Sequence, residues 1–153
     1  YTEYDLDLED WYNENLGEEY IVYRGIINDI LQEENKLMEI VKLVGADVLP
    51  DDQKLIIEVA RVVRVGYLQQ NAFHPDDTYV PIEKQRDMMK VIVHLYERSK
   101  ELVAANVPLD GLLETGIYER VIKMKYEVPN NDLSKCNDII DDIDKTITAV
   151  LSA

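Results

Sequence analysis

Apolar residues recur at intervals of three and four along most of this chain, the spacing that places them on one face of an α-helix. The first such stretch runs from Glu18 to Val44, and Gly45 follows it as a C-terminal stop. The pattern predicts one long amphipathic helix. Its apolar positions are Ile26, Ile30, Leu37, Ile40, Val41 and Val44, supported by Ile27, Leu31 and Met38.

A second helix is predicted from about Asp51 to Gln70. Pro50 lies at or beside its first helical position, and Asp51 and Asp52 place negative charge at the positive end of the helix dipole. Because the connection after Gly45 is so short, the first two helices must lie antiparallel. The apolar face of the second helix comprises Leu55, Ile56, Val59, Val62, Val63 and Tyr67.

Helical spacing continues in the second half of the chain. Pro81 opens a third helix that ends near Asn106-Val-Pro108, and a short segment Leu109–Glu114 and a helical turn or two from Ile117 to Tyr126 follow. The core positions predicted for the third helix are Met88, Met89, Ile92, Leu95, Tyr96, Leu102 and Val103. No period-two alternation predicts a strand, so the sequence indicates an all-α antiparallel helical bundle, a single domain over residues 1–153.

The two ends of the chain leave alternatives open. Residues 1–17 alternate acids with apolar residues and predict a short helix docked by Trp11 and stopped near Gly17. The last helix carries an a/d seam that either packs on this bundle or binds a partner helix. Its positions are Leu133, Cys136, Ile140, Ile143, Ile147 and Val150. Because the chain begins at Tyr1 without a signal peptide, we expect it to be a piece of a longer protein.

Charge and composition exclude several classes of function. The net charge of -15 has the wrong sign for a surface that binds phosphates, so nucleic acid is not an expected partner. No apolar run approaches the ~18 residues of a membrane span, so no direct membrane insertion is expected. Cys136 is the only cysteine and is predicted to be a buried, inert thiol. Neither His74 nor His94 lies in a Glu-x-x-His arrangement, which argues against a di-iron or zinc site.

An aromatic loop from Tyr67 to Tyr79 interrupts the helical pattern. Asn71, Pro75, Asp76 and Asp77 break the periodicity, while Phe73 and Tyr79 remain as large rings. The rings either pin the loop to the helical core or present flat apolar faces to a ligand.

Motifs for catalysis are missing from the sequence. It contains no Gly-x-x-x-x-Gly-Lys-Ser/Thr phosphate loop and no Gly-x-Ser-x-Gly nucleophile elbow. The acid pairs Asp51/Asp52 and Asp76/Asp77 lie in polar turns, where helix capping and solvation explain them. The chain is therefore either a regulatory or mechanical module of a larger enzyme or a free-standing interaction domain.

Four ordered segments carry a family resemblance: Leu43-Val-Gly-Ala-Asp-Val-Leu-Pro50, Glu58-Val-Ala-Arg61, Tyr67-Leu-Gln-Gln-Asn-Ala-Phe-His-Pro-Asp-Asp-Thr-Tyr79 and Met124-Lys-Tyr126. Together they resemble the C-terminal helical domain of the catalytic A subunit of V-type and archaeal-type rotary ATPases. The resemblance extends from about Trp11 to Tyr126.

The resemblance implies a role beside the nucleotide. In this family the phosphate loop and the catalytic Glu belong to a preceding nucleotide-binding domain, which this chain lacks. The intact subunit would bind ATP or ADP with Mg, whereas the isolated domain is expected to bind none, to hydrolyse no ATP and to hold no metal. Phe73, Asp76 and Tyr79 occupy the positions that match the adenine side of the site.

The resemblance also implies a rotor contact at the turn Asp47, Val48, Leu49, Pro50, Asp51, Asp52. The implied partners are B subunits in an alternating hexamer and the central stalk, in a head that is cytoplasmic and peripheral to the membrane. Domain closure would couple nucleotide occupancy to the angle of the shaft, and hence ATP hydrolysis or synthesis to H+ or Na+ transport. The alternative function is a free-standing acidic helical adaptor, which would use the acidic ends of the chain, residues 1–19 and 127–153, and the seam of the last helix to bind a basic or helical partner.

Overall fold

Six helices make up the computed structural model, which describes residues 18–45, 48–68, 82–127 and 134–152. No strand occurs in these ranges, so the prediction of an all-α bundle is confirmed. Residues 1–17, with the predicted Trp11 helix, lie outside the described part. The helices are α1 Glu18–Val44, α2 Asp51–Val62 continued by a π-helical turn Val63–Leu68, α3 Ile82–Ala104, α4 Leu109–Leu113, α5 Ile117–Glu127 and α6 Lys135–Ser152.

The boundary between α1 and α2 follows the predicted signals. Gly45 has a φ of +89°, which suits glycine, and its amide donates to the carbonyl of Val41 at 2.9 Å. Pro50 precedes α2, and its carbonyl accepts from the amides of Gln53 and Lys54 at 3.1 and 3.0 Å. The stop and start residues therefore satisfy backbone groups that the helix ends would otherwise leave open.

The third helix, α3, is the centre of the bundle and packs against α1, α2, α4, α5 and α6. Because neighbours cover it on several sides, it buries Val91 and Val93 in addition to most of the predicted stripe, whereas Tyr96 and Val103 are only partly buried. Its buried apolar residues are Met88, Met89, Val91, Ile92, Val93, Leu95 and Leu102.

The last helix, α6, packs on α3 and α5 of the same chain. Cys136, Ile143 and Ile147 of the predicted seam are buried, as is Ile139, while Ile140 and Val150 are partly buried. Leu133 lies outside the described residues. Of the two alternatives for this seam, packing within the bundle is the one observed.

A polar contact inside the core joins α5 to α3. The hydroxyl of Tyr118 donates to Oγ of Ser99 at 2.9 Å, and both residues are buried. Burial raises the pKa of Tyr118, so the phenol stays protonated and keeps its role as donor. The helix α5 is longer than predicted. The sequence indicated a helical turn or two from Ile117, whereas the structure has an eleven-residue helix, Ile117–Glu127.

None of the described helices combines the length and the apolar content that crossing a membrane requires.

Candidate functional site: the two ends of the second helix

The turn between α1 and α2 lies beside the turn between α3 and α4. The Asp51 carboxylate accepts a hydrogen bond from the amide of Leu109 at 3.1 Å and so caps the start of α4. A shallow groove of about 310 Å³ separates the two turns. It is lined by Pro50, Asp51, Asp52, Val103, Asn106, Val107 and Pro108.

The apolar residues of this turn differ in exposure. Val48 is 63% exposed, and Leu43 and Val44 at the end of α1 are 84% and 58% exposed. Leu49, by contrast, is 6% exposed and packs into the protein. Of the residues predicted to contact a rotor, the ones at the surface are therefore Val48, Pro50 and Asp52, with Asp51 engaged in the α4 cap. Ala46 and Asp47 lie outside the described residues.

The opposite end of α2 is the π-helical turn Val63–Leu68. Arg64 in this turn forms an ion pair with Glu34 of α1. Gly66 lies against the backbone of α5, where a Cβ added to it would come within 2.8 Å of Ile122 Cα. Contacts from α1 and α5 thus hold the turn on two sides.

The predicted adenine-side residues Phe73, Asp76 and Tyr79 lie in the segment 69–81, outside the described residues. The chain is described up to Leu68 and again from Ile82. The run from Asp51 to Leu68 is helical throughout. At about 1.5 Å per residue, it separates the turn before α2 from the start of that segment by roughly 25 Å.

The described side chains do not form a metal-binding set. Within ranges 18–45, 48–68, 82–127 and 134–152, no group of three or more His, Cys, Asp or Glu residues could hold a metal ion. His94 instead pairs with Asp144, with 2.7 Å between Nε2 and Oδ1. Burial raises the pKa of the Cys136 thiol to about 11, so at neutral pH it is a protonated core residue.

Glu34 was not predicted as a notable residue, although the sequence contains a signal for it. It stands between Ile30 and Leu37 in the apolar stripe of α1, at a position where helical spacing calls for another apolar side chain. The structure shows it to be 4% exposed. An acid inside an apolar stripe indicates a buried partner, but the partner cannot be named from helical periodicity.

Comparison with known proteins places the sequence of this chain in a family. The family model described as the C-terminal domain of V and A type ATP synthase matches residues 9–112. V-type ATP synthase alpha chain 2 of Clostridium tetani is 52% identical over 134 residues, which are 88% of this chain and 23% of that protein. The V-type ATP synthase alpha chain of Halothermothrix orenii is 46% identical over 140 residues, covering 92% of this chain and 24% of the relative.

A third relative agrees with these two. The A subunit of the A-type ATP synthase of Methanopyrus kandleri is 45% identical over 132 residues, covering 86% of this chain and 22% of the relative. The chain thus spans about a quarter of the length of the relatives it matches. It belongs to the family of C-terminal domains of V- and A-type ATP synthases.

Proposed function

We propose that this domain works in the catalytic subunit of a rotary ATPase that couples ATP hydrolysis or synthesis to H+ or Na+ transport. In this proposal the segment 69–81 supplies the adenine-side wall of the nucleotide site, and the turn Val48–Asp52 contacts the central stalk. The observation that carries the proposal is that one continuous helical element, Asp51 to Leu68, joins the two places. A nearly rigid rod between them can transmit movement from one to the other.

The residue types in segment 69–81 suit the base of a nucleotide better than its phosphates. Phe73 and Tyr79 provide flat rings for stacking, and the Asp76 carboxylate can accept from an exocyclic amino group. The described residues offer no metal-holding cluster, and the sequence has no phosphate loop. The triphosphate and Mg would therefore be held by a nucleotide-binding domain, and the chemistry of hydrolysis would take place there.

At the other end, the exposed side chains favour an apolar contact with the stalk. Val48, Leu43 and Val44 all project from the same end of α1 and the turn after it. Leu49, next to Val48 in the sequence, is buried and is not part of this exposed surface. Asp52 adds an exposed negative charge beside it.

The structure gives less support to the alternative function, a free-standing adaptor. This alternative relied on the seam of the last helix to bind a partner helix, but the described seam residues are buried or partly buried in a helix that packs on α3 and α5. The acidic ends of the chain favour neither function specifically.

Two substitutions in the intact subunit test the proposal at its two ends. Tyr79→Ala should weaken ATP binding by about 1–3 kcal/mol, the magnitude expected for a lost stacking ring. Val48→Asp should leave ATP binding unchanged and, in the assembled complex, lower ion transport per ATP, because a charge enters an apolar contact. Val22→Asp is the matched control, since Val22 is also exposed, at 55%, and lies near the far end of α1.

Two results would contradict the proposal. Unchanged ATP affinity per folded molecule in Tyr79→Ala would leave that ring as a loop anchor. Unchanged transport per ATP, in complexes that carry Val48→Asp in every copy, would leave the turn as an ordinary helix connection.

A further inference from the structure

The carboxylate of Glu34 occupies a core position of α1. Ile27, Ile30 and Leu37 on the same stripe are buried, and Glu34 is 4% exposed. An unpaired carboxylate there would be costly, because it loses its water without compensation. The guanidinium of Arg64 supplies the compensation as an ion pair, and its side chain remains 53% exposed. Glu34 is therefore tied specifically to the π-helical turn of α2.

Gly66 fixes the same turn from the other side. A Cβ on this residue would lie 2.8 Å from Ile122 Cα and 3.0 Å from the Ile122 carbonyl oxygen, both backbone atoms of α5. Real Cβ atoms do not approach so closely, so any other L residue would force the turn and α5 apart. Only glycine fits this contact without movement.

A π-helical turn also sets the direction of whatever follows it. Its hydrogen bonds span five residues, so it contains one residue more than an α-helical turn. Conversion to an α-helix would rotate the chain after the turn by about 100° and shift it by about 1.5 Å. The contacts of Arg64 and Gly66 hold the turn in place between α1 and α5.

We propose that Glu34, Arg64 and Gly66 are positioning residues for the nucleotide site, because they hold in place the π-helical turn that ends at Leu68. The inference rests on the proposed function, in which the residues that follow supply the adenine wall. It adds a second connection between the turn before α2 and the π-helical turn after it, because α1 carries both Glu34 and the exposed Leu43 and Val44. A displacement of α1 at the stalk reaches the π-helical turn through the ion pair.

The test compares two ligands of the full-length subunit, MgATP and magnesium tripolyphosphate. The ratio of their affinities reports the contribution of the base, since tripolyphosphate lacks one. Glu34→Leu restores an unbroken apolar stripe and removes the anchor of Arg64, which is exposed enough to be solvated alone. It should keep the melting temperature at or above wild type and lower the ratio about tenfold.

Gly66→Ala should lower the ratio by a similar factor while also lowering the melting temperature, because it pushes the turn off α5. The matched controls are Glu33→Leu, one residue away on the exposed face, and Gly25→Ala, where a Cβ meets nothing within 4 Å. Both should keep the wild-type ratio. If Gly66→Ala does not fold, Glu34→Leu decides the question alone.

Tyr79→Ala separates the two proposals. If it lowers the ratio while Glu34→Leu and Gly66→Ala do not, the positioning role is refuted and the adenine wall stands. A lower melting temperature of Glu34→Leu and Gly66→Ala with an unchanged affinity ratio also refutes the positioning role, because a purely structural role would have that effect. If Tyr79→Ala leaves the ratio unchanged, the adenine wall itself is wrong and the positioning role fails with it.

Discussion

The two ends of α2 are held by different kinds of contact. At the turn end, Gly45 and Pro50 complete hydrogen bonds with residues three or four positions away, and Asp51 caps the neighbouring helix α4. At the π-helical end, Arg64 pairs with a residue 30 positions away, and Gly66 touches a helix further along the chain. The comparison teaches that hydrogen bonds between near neighbours in sequence complete the backbone at the turn end, whereas contacts with distant helices hold the backbone at the π-helical end.

Neighbouring residues within the turn end also differ in exposure. Val48 and Leu49 are neighbours in sequence and similar in chemistry, yet one is 63% exposed and the other 6%. Only the first is available to a partner. Substitutions at this turn therefore report on binding or on folding according to which residue is changed.

The largest expected effect is the loss of stability in Leu49→Asp. A charge placed at this buried position should lower the free energy of unfolding of the chain by about 3 kcal/mol or more. Val48→Asp, the matched control, should stay within about 0.5 kcal/mol of wild type because its side chain points to water. Urea denaturation followed by circular dichroism measures both. Equal losses in the two variants would show that their difference in burial is not maintained in solution.

A smaller loss is expected for Gly66→Ala. Forcing a methyl group against the backbone of Ile122 should cost about 1–3 kcal/mol in the free energy of unfolding. Gly25→Ala lies within α1 with open space around it and should stabilise the chain by up to about 1 kcal/mol. The same denaturation experiment compares them. A neutral Gly66→Ala would mean that α5 yields readily, and the π-helical end would then be no more constrained than the turn end.

The smallest expected effect concerns the cap at the turn end. Asp51→Ala should lower the free energy of unfolding by about 1 kcal/mol, because the amide of Leu109 loses its acceptor. Asp52→Ala, an exposed neighbour in the same first turn of α2, should change it by less than about 0.5 kcal/mol. Amide hydrogen exchange at Leu109 provides the local readout, with faster exchange expected in Asp51→Ala alone. Unchanged exchange there would mean that the cap does not hold in solution.

The course of the helices was largely predictable because their signals are local. Apolar spacing, Gly45, Pro50 and Pro81 act on residues within one or two turns, so the ranges of α1, α2 and α3 agree with the prediction to within a few residues. The family was recognisable from short ordered segments, and the family model confirms it. The predicted adenine-side residues stay a prediction, since 69–81 lies outside the described part of the chain.

By itself the sequence determined the helical class, the boundaries set by proline and glycine, and the family. Only the tertiary structure decided that Leu49 turns inward while Val48 turns out, that Arg64 neutralises the acid in the α1 stripe, and that α2 ends in a π-helical turn against Ile122. The reason is physical: periodicity and capping depend on neighbours along the chain. The burial of one side chain, the partner of one charge and the spacing of two backbones depend on helices that the chain brings together only when it folds.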